Sequence, residues 1–160
     1  MAEAQTKMGK VVEPIEVWND QDEGLARAGH LAPNQVRRAS LEALVDTGAN
    51  MLVLPEDIIE KLGLPAVRKV KTRFGDGHVV ERTIYGSAKL RVLNREVTVD
   101  VLSAPIGVPA LLGQIPLEGL DFVVDLKNQR LIPNPAAPDP EMALVECYCD
   151  SLQSAGKNSP

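Results

Sequence analysis

At 160 residues and 44% hydrophobic side chains, the chain has the size of one domain with its own core, and with 3% aromatics that core must be built from Val, Leu, Ile and Ala. A formal net charge of −5, from 17 basic and 22 acidic residues, leaves no basic footprint for phosphate recognition, so no nucleic-acid partner is expected. No run of about 18 apolar residues is present to span a bilayer, and MAEAQTKMGK at the start lacks the apolar centre of a secretion signal; no membrane partner is expected and the location is read as cytoplasmic.

Residues 1–9 are small and polar and read as a flexible leader. Lys10 to Asn19 alternates around Pro14, which cannot donate to a ladder, and predicts an edge strand closed by an Asn19-Asp20 turn. Gln21 to Gln35 is charged and rich in Gly, Ala and Pro, an exposed connection with room for one helical turn. Val36 to Asp46 predicts a strand with Ala39, Leu41, Ala43 and Val45 on one face and Ser40, Glu42 and Leu44 on the other. A tight Asp-Thr-Gly turn leads to a short strand, Met51 to Leu54. Pro55-Glu56-Asp57 then opens a helix that Gly63 and Pro65 end.

A hairpin is expected around Phe74-Gly75-Asp76-Gly77-His78, since Asp-Gly between alternating runs favours a turn with positive φ, and the flanking glycines suit a lid. His78 and the loop residue His30 read as solvated. Two further strands, Ser87 to Leu93 and Glu96 to Leu102, join at Asn94-Arg95. After the Pro-Gly-Pro loop, Ala104 to Pro109, come Ala110-Leu111-Leu112-Gly113, a helical turn or two in Pro116 to Leu120, and a hairpin of Phe122 to Leu126 with Arg130 to Ile132. From Ala136 the Pro, Ala and acidic composition predicts a disordered or loosely attached tail over 136–160. Cys147 and Cys149 are too few for a disulfide framework or a zinc site and read as reduced thiols. The sum is a mainly β fold with one or two short helices and no requirement for metal or cofactor.

The chemistry concentrates at Asp46, a carboxylate delivered at a strand end beside a glycine. Amide hydrolysis without metal or covalent nucleophile needs one group to take a proton from water and another to protonate the carbonyl oxygen. Two close carboxylates sharing one proton can do both, and they titrate as a unit. The chain carries one Asp-Thr-Gly, and Cys149-Asp150-Ser151-Leu152 lacks the glycine. If Asp46 is catalytic, its partner is Asp46 of a second copy across a two-fold axis.

Ala-Leu-Val-Asp-Thr-Gly-Ala at 43–49, the glycine-tipped hairpin and Ala-Leu-Leu-Gly at 110–113 together resemble the retroviral-type (retropepsin-like) aspartic proteases, in particular their cellular single-domain relatives. The resemblance covers roughly Val11 to Pro135, giving a domain over 10–135. It implies a closed acid-protease barrel working as a symmetric homodimer on an extended peptide substrate. It also implies that Thr47 locks the two catalytic loops together, Gly48 lets substrate backbone approach and Ala49 keeps the adjoining subsite small. Phe74, Gly75, Asp76, Gly77 and His78 would close over the peptide, held partly as an added strand. Leu111, Leu112 and Gly113 would support the Asp46 loop from beneath. The retroviral pattern has an acid–arginine ion pair where this chain has Asn50 and Gln114, so a hydrogen bond between those two amides is expected instead. Pro133 and Pro135 make the dimer contact through Arg130-Leu131-Ile132 differ from the viral interleaved strands. Two other readings stay open: a protease-like dimerisation or peptide-binding module without useful turnover, and an unrelated β-barrel in which Asp46-Thr47-Gly48 is merely a turn.

Overall fold

The computed structural model describes residues 10–147; the leader expected over 1–9 and Cys149 lie outside the described residues. The elements are β1 (Val11–Asn19), α1 (Asp20–Arg27), β2 (Arg38–Val45), β3 (Leu52–Pro55), α2 (Glu56–Leu62), β4 (Ala66–Arg73), β5 (Val79–Val92), β6 (Arg95–Ala104), β7 (Ala110–Leu112), α3 (Gln114–Leu120), β8 (Phe122–Asp125) and β9 (Arg130–Pro133). The strands run in the order β1-β2-β7-β3-β6-β5, and β5 returns to pair with β1, closing a six-stranded barrel. Closure removes free edges from the barrel itself, and β4 extends it outward as a hairpin with β5. The interior is filled by small and branched aliphatics, among them Val17, Leu52, Leu54, Leu90, Leu112 and Leu120, as the low aromatic content requires. No helix among the described residues is long and apolar enough to cross a membrane.

Three expectations change. β1 is an edge only in its first half: Val11 to Trp18 pairs with β2, and Ile15 to Asn19 also pairs with β5, so Pro14 lies just before the stretch flanked on both sides. Three α-helices are present rather than one or two, because Asn19-Asp20 starts a helix instead of a turn. Residues 79–92 form one strand, with an irregularity between Tyr85 and Ala88, where two separate strands were expected. The turn after it falls on Leu93, which takes φ 53°.

Asn19 explains the first helix and its docking. It is 1% exposed; its Oδ1 accepts Asp22 N at 3.0 Å as the N-cap of α1, and its Nδ2 donates to Leu62 O at 2.9 Å, satisfying the C-terminus of α2. One side chain thus ties two helices to β1. Asn19→Ala is expected to lower stability by about 2–4 kcal/mol in urea unfolding, by losing a cap and leaving a buried carbonyl without its donor.

Asp22, buried in α1, accepts Arg37 Nε at 2.8 Å, Arg37 Nη2 at 3.0 Å and Arg37 N at 3.1 Å. The hydrogen bonds from the Arg37 side chain hold the Asp22 carboxyl below its ordinary value of 3.8, against the opposing effect of burial. A carboxyl with a depressed folded-state pKa stabilises the fold above its unfolded pKa, and this contribution disappears as pH falls through the folded value. Stability is therefore expected to drop below about pH 4, and Asp22→Asn to flatten that acid limb in a pH series of thermal melts.

Of the tail expected over 136–160, residues 148–160 lie outside the described residues, and the part described is tied to the barrel as far as Leu144. Asp121, ending α3 at φ 56°, accepts Asn134 Nδ2 at 2.8 Å and Leu144 N at 2.7 Å. Arg95, buried beneath, donates from Nη1 to Leu120 O at 2.9 Å and Asp121 O at 2.7 Å, and from Nη2 to Pro140 O at 2.8 Å. These hydrogen bonds hold 134–144 against the end of α3.

Candidate active site

β2 delivers Asp46 and β3 leaves the loop that follows, while β7 lies between them, parallel to β2 and antiparallel to β3. The 46–51 loop must therefore cross over the end of β7. Asp46 N donates to Leu112 O at 3.0 Å, Gln114 N to Ala49 O at 2.8 Å and Ile115 N to Asn50 O at 2.8 Å. Those backbone bonds fix the loop along most of its length without using a side chain.

Gly113 is where the crossing is tightest. A Cβ there would lie 2.4 Å from Met51 O, 2.7 Å from Ala49 O and 2.8 Å from Met51 N, all backbone atoms. Only glycine permits this approach. The Asp46 side chain then folds back on its own loop, with Oδ1 accepting Gly48 N at 2.9 Å, the usual behaviour of Asp in a turn. Oδ2 has no hydrogen-bond partner among the described residues, and Asp46 is only half-buried, so the carboxylate is held in position yet reachable.

The apolar surface beside Asp46 follows from register. Ala43 and Val45 face the barrel core and its margin, so Leu44, between them, faces the other way. Leu44 pairs with Leu111, Leu111 with Val53, Val53 with Leu102 and Leu102 with Ile84. This row crosses β2, β7, β3, β6 and β5 on the face opposite the core, and alternation puts Asp46 on that same face two residues beyond Leu44. Val53 is 8% and Ile84 2% exposed, yet none of the five belongs to the main core cluster. The row is a second apolar layer outside the main core: Val53 and Ile84 are covered by the chain itself, while Leu44, Leu102 and Leu111 remain half-buried.

The expected site residues divide accordingly. Asp46, Thr47, Gly48, Ala49, Leu112 and Gly113 are brought together as one loop and its support. Leu111 belongs to the apolar row rather than beneath the loop. Asn50 and Gln114 are not bonded to each other: Gln114 N donates to Ala49 O, Asn50 O accepts from Ile115 N, and Gln114 Nε2 donates to Glu118 Oε1 at 2.8 Å, one turn along α3, in place of the amide–amide bond expected between the two side chains. The reason is local, since a glutamate four residues on lies directly above the glutamine on a helix. Thr47 is exposed and borders a groove of about 240 Å³ whose other walls are α3 and β8.

Phe74 to His78 lie at the tip of the β4–β5 hairpin. Phe74 N donates to His78 O at 3.0 Å and Gly77 N to Phe74 O at 2.9 Å, which makes Gly75–Gly77 a three-residue loop in which only Gly77 takes positive φ, 88°. The Asp-Gly turn expected to need two such residues is thus a different type. The Phe74 and His78 rings stack at 4.6 Å, and Asp76 bonds the His78 imidazole and its N–H. The tip is a small closed unit carried on two strands.

A barrel with an aspartate-bearing loop clamped over a glycine, and one such loop per chain, defines the retroviral type of aspartyl protease. A family model described as "gag-polyprotein putative aspartyl protease" matches residues 32–118, more than half of the chain, and the chain belongs to that family. No curated protein sequence matches it.

Sequence reasoning missed the row from Leu44 to Ile84. Period-two alternation gave Leu44 the right face, but the pairing that aligns it with Leu111, Val53, Leu102 and Ile84 depends on a register set by strands distant in sequence.

Proposed function

We propose that the chain is a cytoplasmic homodimeric aspartic endopeptidase that hydrolyses peptide bonds through a water activated by Asp46 of both copies. The observation that carries this reading is the Asp46 loop itself: a carboxylate fixed by backbone bonds to β7 and by Gly48 N, with Oδ2 open, beside an apolar row. In the dimer the two carboxylates share one proton. The ionised one takes a proton from water as the water oxygen adds to the carbonyl carbon, and the protonated one donates to the carbonyl oxygen. The resulting gem-diol then breaks its C–N bond as the first carboxyl gives its proton to the amine nitrogen and the second takes back a hydroxyl proton, restoring the singly protonated pair. Thr47, which is exposed, meets its counterpart across the two-fold axis in this reading, and Phe74 to His78 close over an extended substrate held partly by strand pairing.

A peptide library assayed from pH 3 to 7 with the wild-type protein and with Asp46→Asn tests the reading. Cleavage that disappears in the variant while the dimer persists by sedimentation supports it. Equal cleavage by both proteins removes Asp46 from the mechanism, and peptide binding without turnover by a verified dimer makes the chain a binding module instead.

A further inference from the structure

The apolar row across the barrel does not end at Ile84. Its next position is Arg68 on β4, paired with Ile84, and along the same face of the hairpin come Arg82 opposite Val70 and Val80 opposite Thr72. Register is unbroken from Arg68 to Arg73, so these residues share one face by alternation. Val70, Thr72, Val80 and Arg82 are half-buried, while Lys69, Lys71, Arg73, Val79 and Glu81, on or facing the other side, are exposed.

The two faces treat charge differently. On the outer face Lys69 is paired with Glu81 at 3.1 Å, and basic residues on an exposed edge strand are explained by the need to discourage pairing with other chains. Arg82 differs in its face: at this point β5 pairs with β4 alone, yet Arg82 is half-buried among Val70, Val80 and Ile84, with no ion pair among the described residues and a 3.5 Å approach of Nη1 to Glu81 O. A guanidinium half withdrawn from water and without a carboxylate is costly unless something else supplies the counter-charge. Arg68, which is exposed, lies one pair away on the same face and has no ion pair among the described residues. The setting reinforces this: residues 66–82 hold five Lys and Arg against two Asp and Glu in a chain of net charge −5.

We propose that Arg82, with Arg68 beside it, selects a carboxylate side chain of the bound peptide, so that the preferred substrates carry apolar residues at the scissile bond and an Asp or Glu a few residues away. The inference rests on the reading that the Asp46 face holds peptide. The apolar row takes the side chains next to the scissile bond, and the hairpin, lying along the same extended chain, presents a guanidinium that can form a bidentate, charge-assisted pair with a carboxylate. A lysine at the matching peptide position meets like charge and is rejected.

The test uses eight-residue fluorescent peptides with a fixed apolar central pair and a single Glu, Gln or Lys scanned through the other positions. Their binding to the Asp46→Asn dimer is measured by anisotropy, and their cleavage by the wild-type dimer in parallel. At one position Glu is expected to bind about ten-fold more tightly than Gln and Lys more weakly than both. Arg82→Gln should erase the Glu preference, and Arg82→Glu should transfer it to the Lys peptide. Equal binding of Glu and Gln peptides at every position, no peptide binding at all, or a Glu preference unchanged in both Arg82 variants overturns the proposal. Asp46-dependent cleavage without a Glu preference removes the arginine pair and leaves the peptidase reading intact. A Glu preference in binding without turnover does the reverse.

Discussion

Asp46→Asn is expected to lower kcat for peptide hydrolysis by about 10³-fold or more, with little change in peptide affinity or thermal stability. The substitution is nearly isosteric, and the asparagine side-chain oxygen can still accept the hydrogen bond from Gly48 N that shapes the turn. The backbone bonds from Asp46 N to Leu112 O and from Gln114 N to Ala49 O are untouched. What disappears is the ability to hold or release a proton at Oδ2. In a dyad the loss is not shared between the copies, since the surviving group of a mixed pair can serve as base or acid but has no complementary partner. Stopped cleavage with unchanged circular dichroism and unchanged peptide binding by anisotropy is the expected pattern. A variant that loses peptide binding along with cleavage would show Asp46 acting as a structural residue.

Gly113→Ala is expected to cost about 3 kcal/mol or more of folding stability and to abolish cleavage even at temperatures where the protein remains folded. The added methyl would meet the carbonyls of Ala49 and Met51 and the Met51 amide inside normal contact distance. These are backbone atoms of the loop that holds Asp46, so no rotamer change relieves the clash. Relief requires lifting the loop, which breaks the Gln114 N to Ala49 O and Ile115 N to Asn50 O bonds and carries Asp46 away from Leu112 O. Gly24 is the matched control: it lies in a helix with nothing within 4 Å of an added Cβ, and Gly24→Ala should be neutral or slightly stabilising. Urea midpoints of the two variants, read beside their specific activities, separate a helix-propensity effect from a collision beneath the active-site loop.

What could be read from the sequence was what depends on short range. Leu41 to Pro55 showed a strand, a turn that exposes a carboxylate, a second strand and a helix start, because alternation, Asp-Thr-Gly and Pro-Glu-Asp each act over a few residues. Asn19 was recognised as a residue that breaks a strand, but a turn and an N-cap use the same side-chain oxygen, and the choice was made by α2, whose last carbonyls lie 43 residues further on. The attachment of 134–144 was hidden for a similar reason: its composition is that of a tail, and what holds it is Arg95, a residue from the start of β6. The hydrogen bond expected between Asn50 and Gln114 does not form, because Glu118, four residues along the helix from Gln114, takes that side chain. Arg82 was invisible as a site residue because its meaning comes from the face it shares with Ile84, which only the register supplies.

The central claim is that each chain carries half of an active site. It is tested most directly by mixing wild-type protein with Asp46→Asn at constant total concentration, allowing the subunits to exchange, and measuring peptide cleavage against the wild-type fraction. If both copies must supply Asp46, cleavage follows the square of that fraction, and an equimolar mixture retains about one quarter of the full activity. A straight line, with about half retained at equimolar mixing, would mean that one chain suffices and would contradict the account.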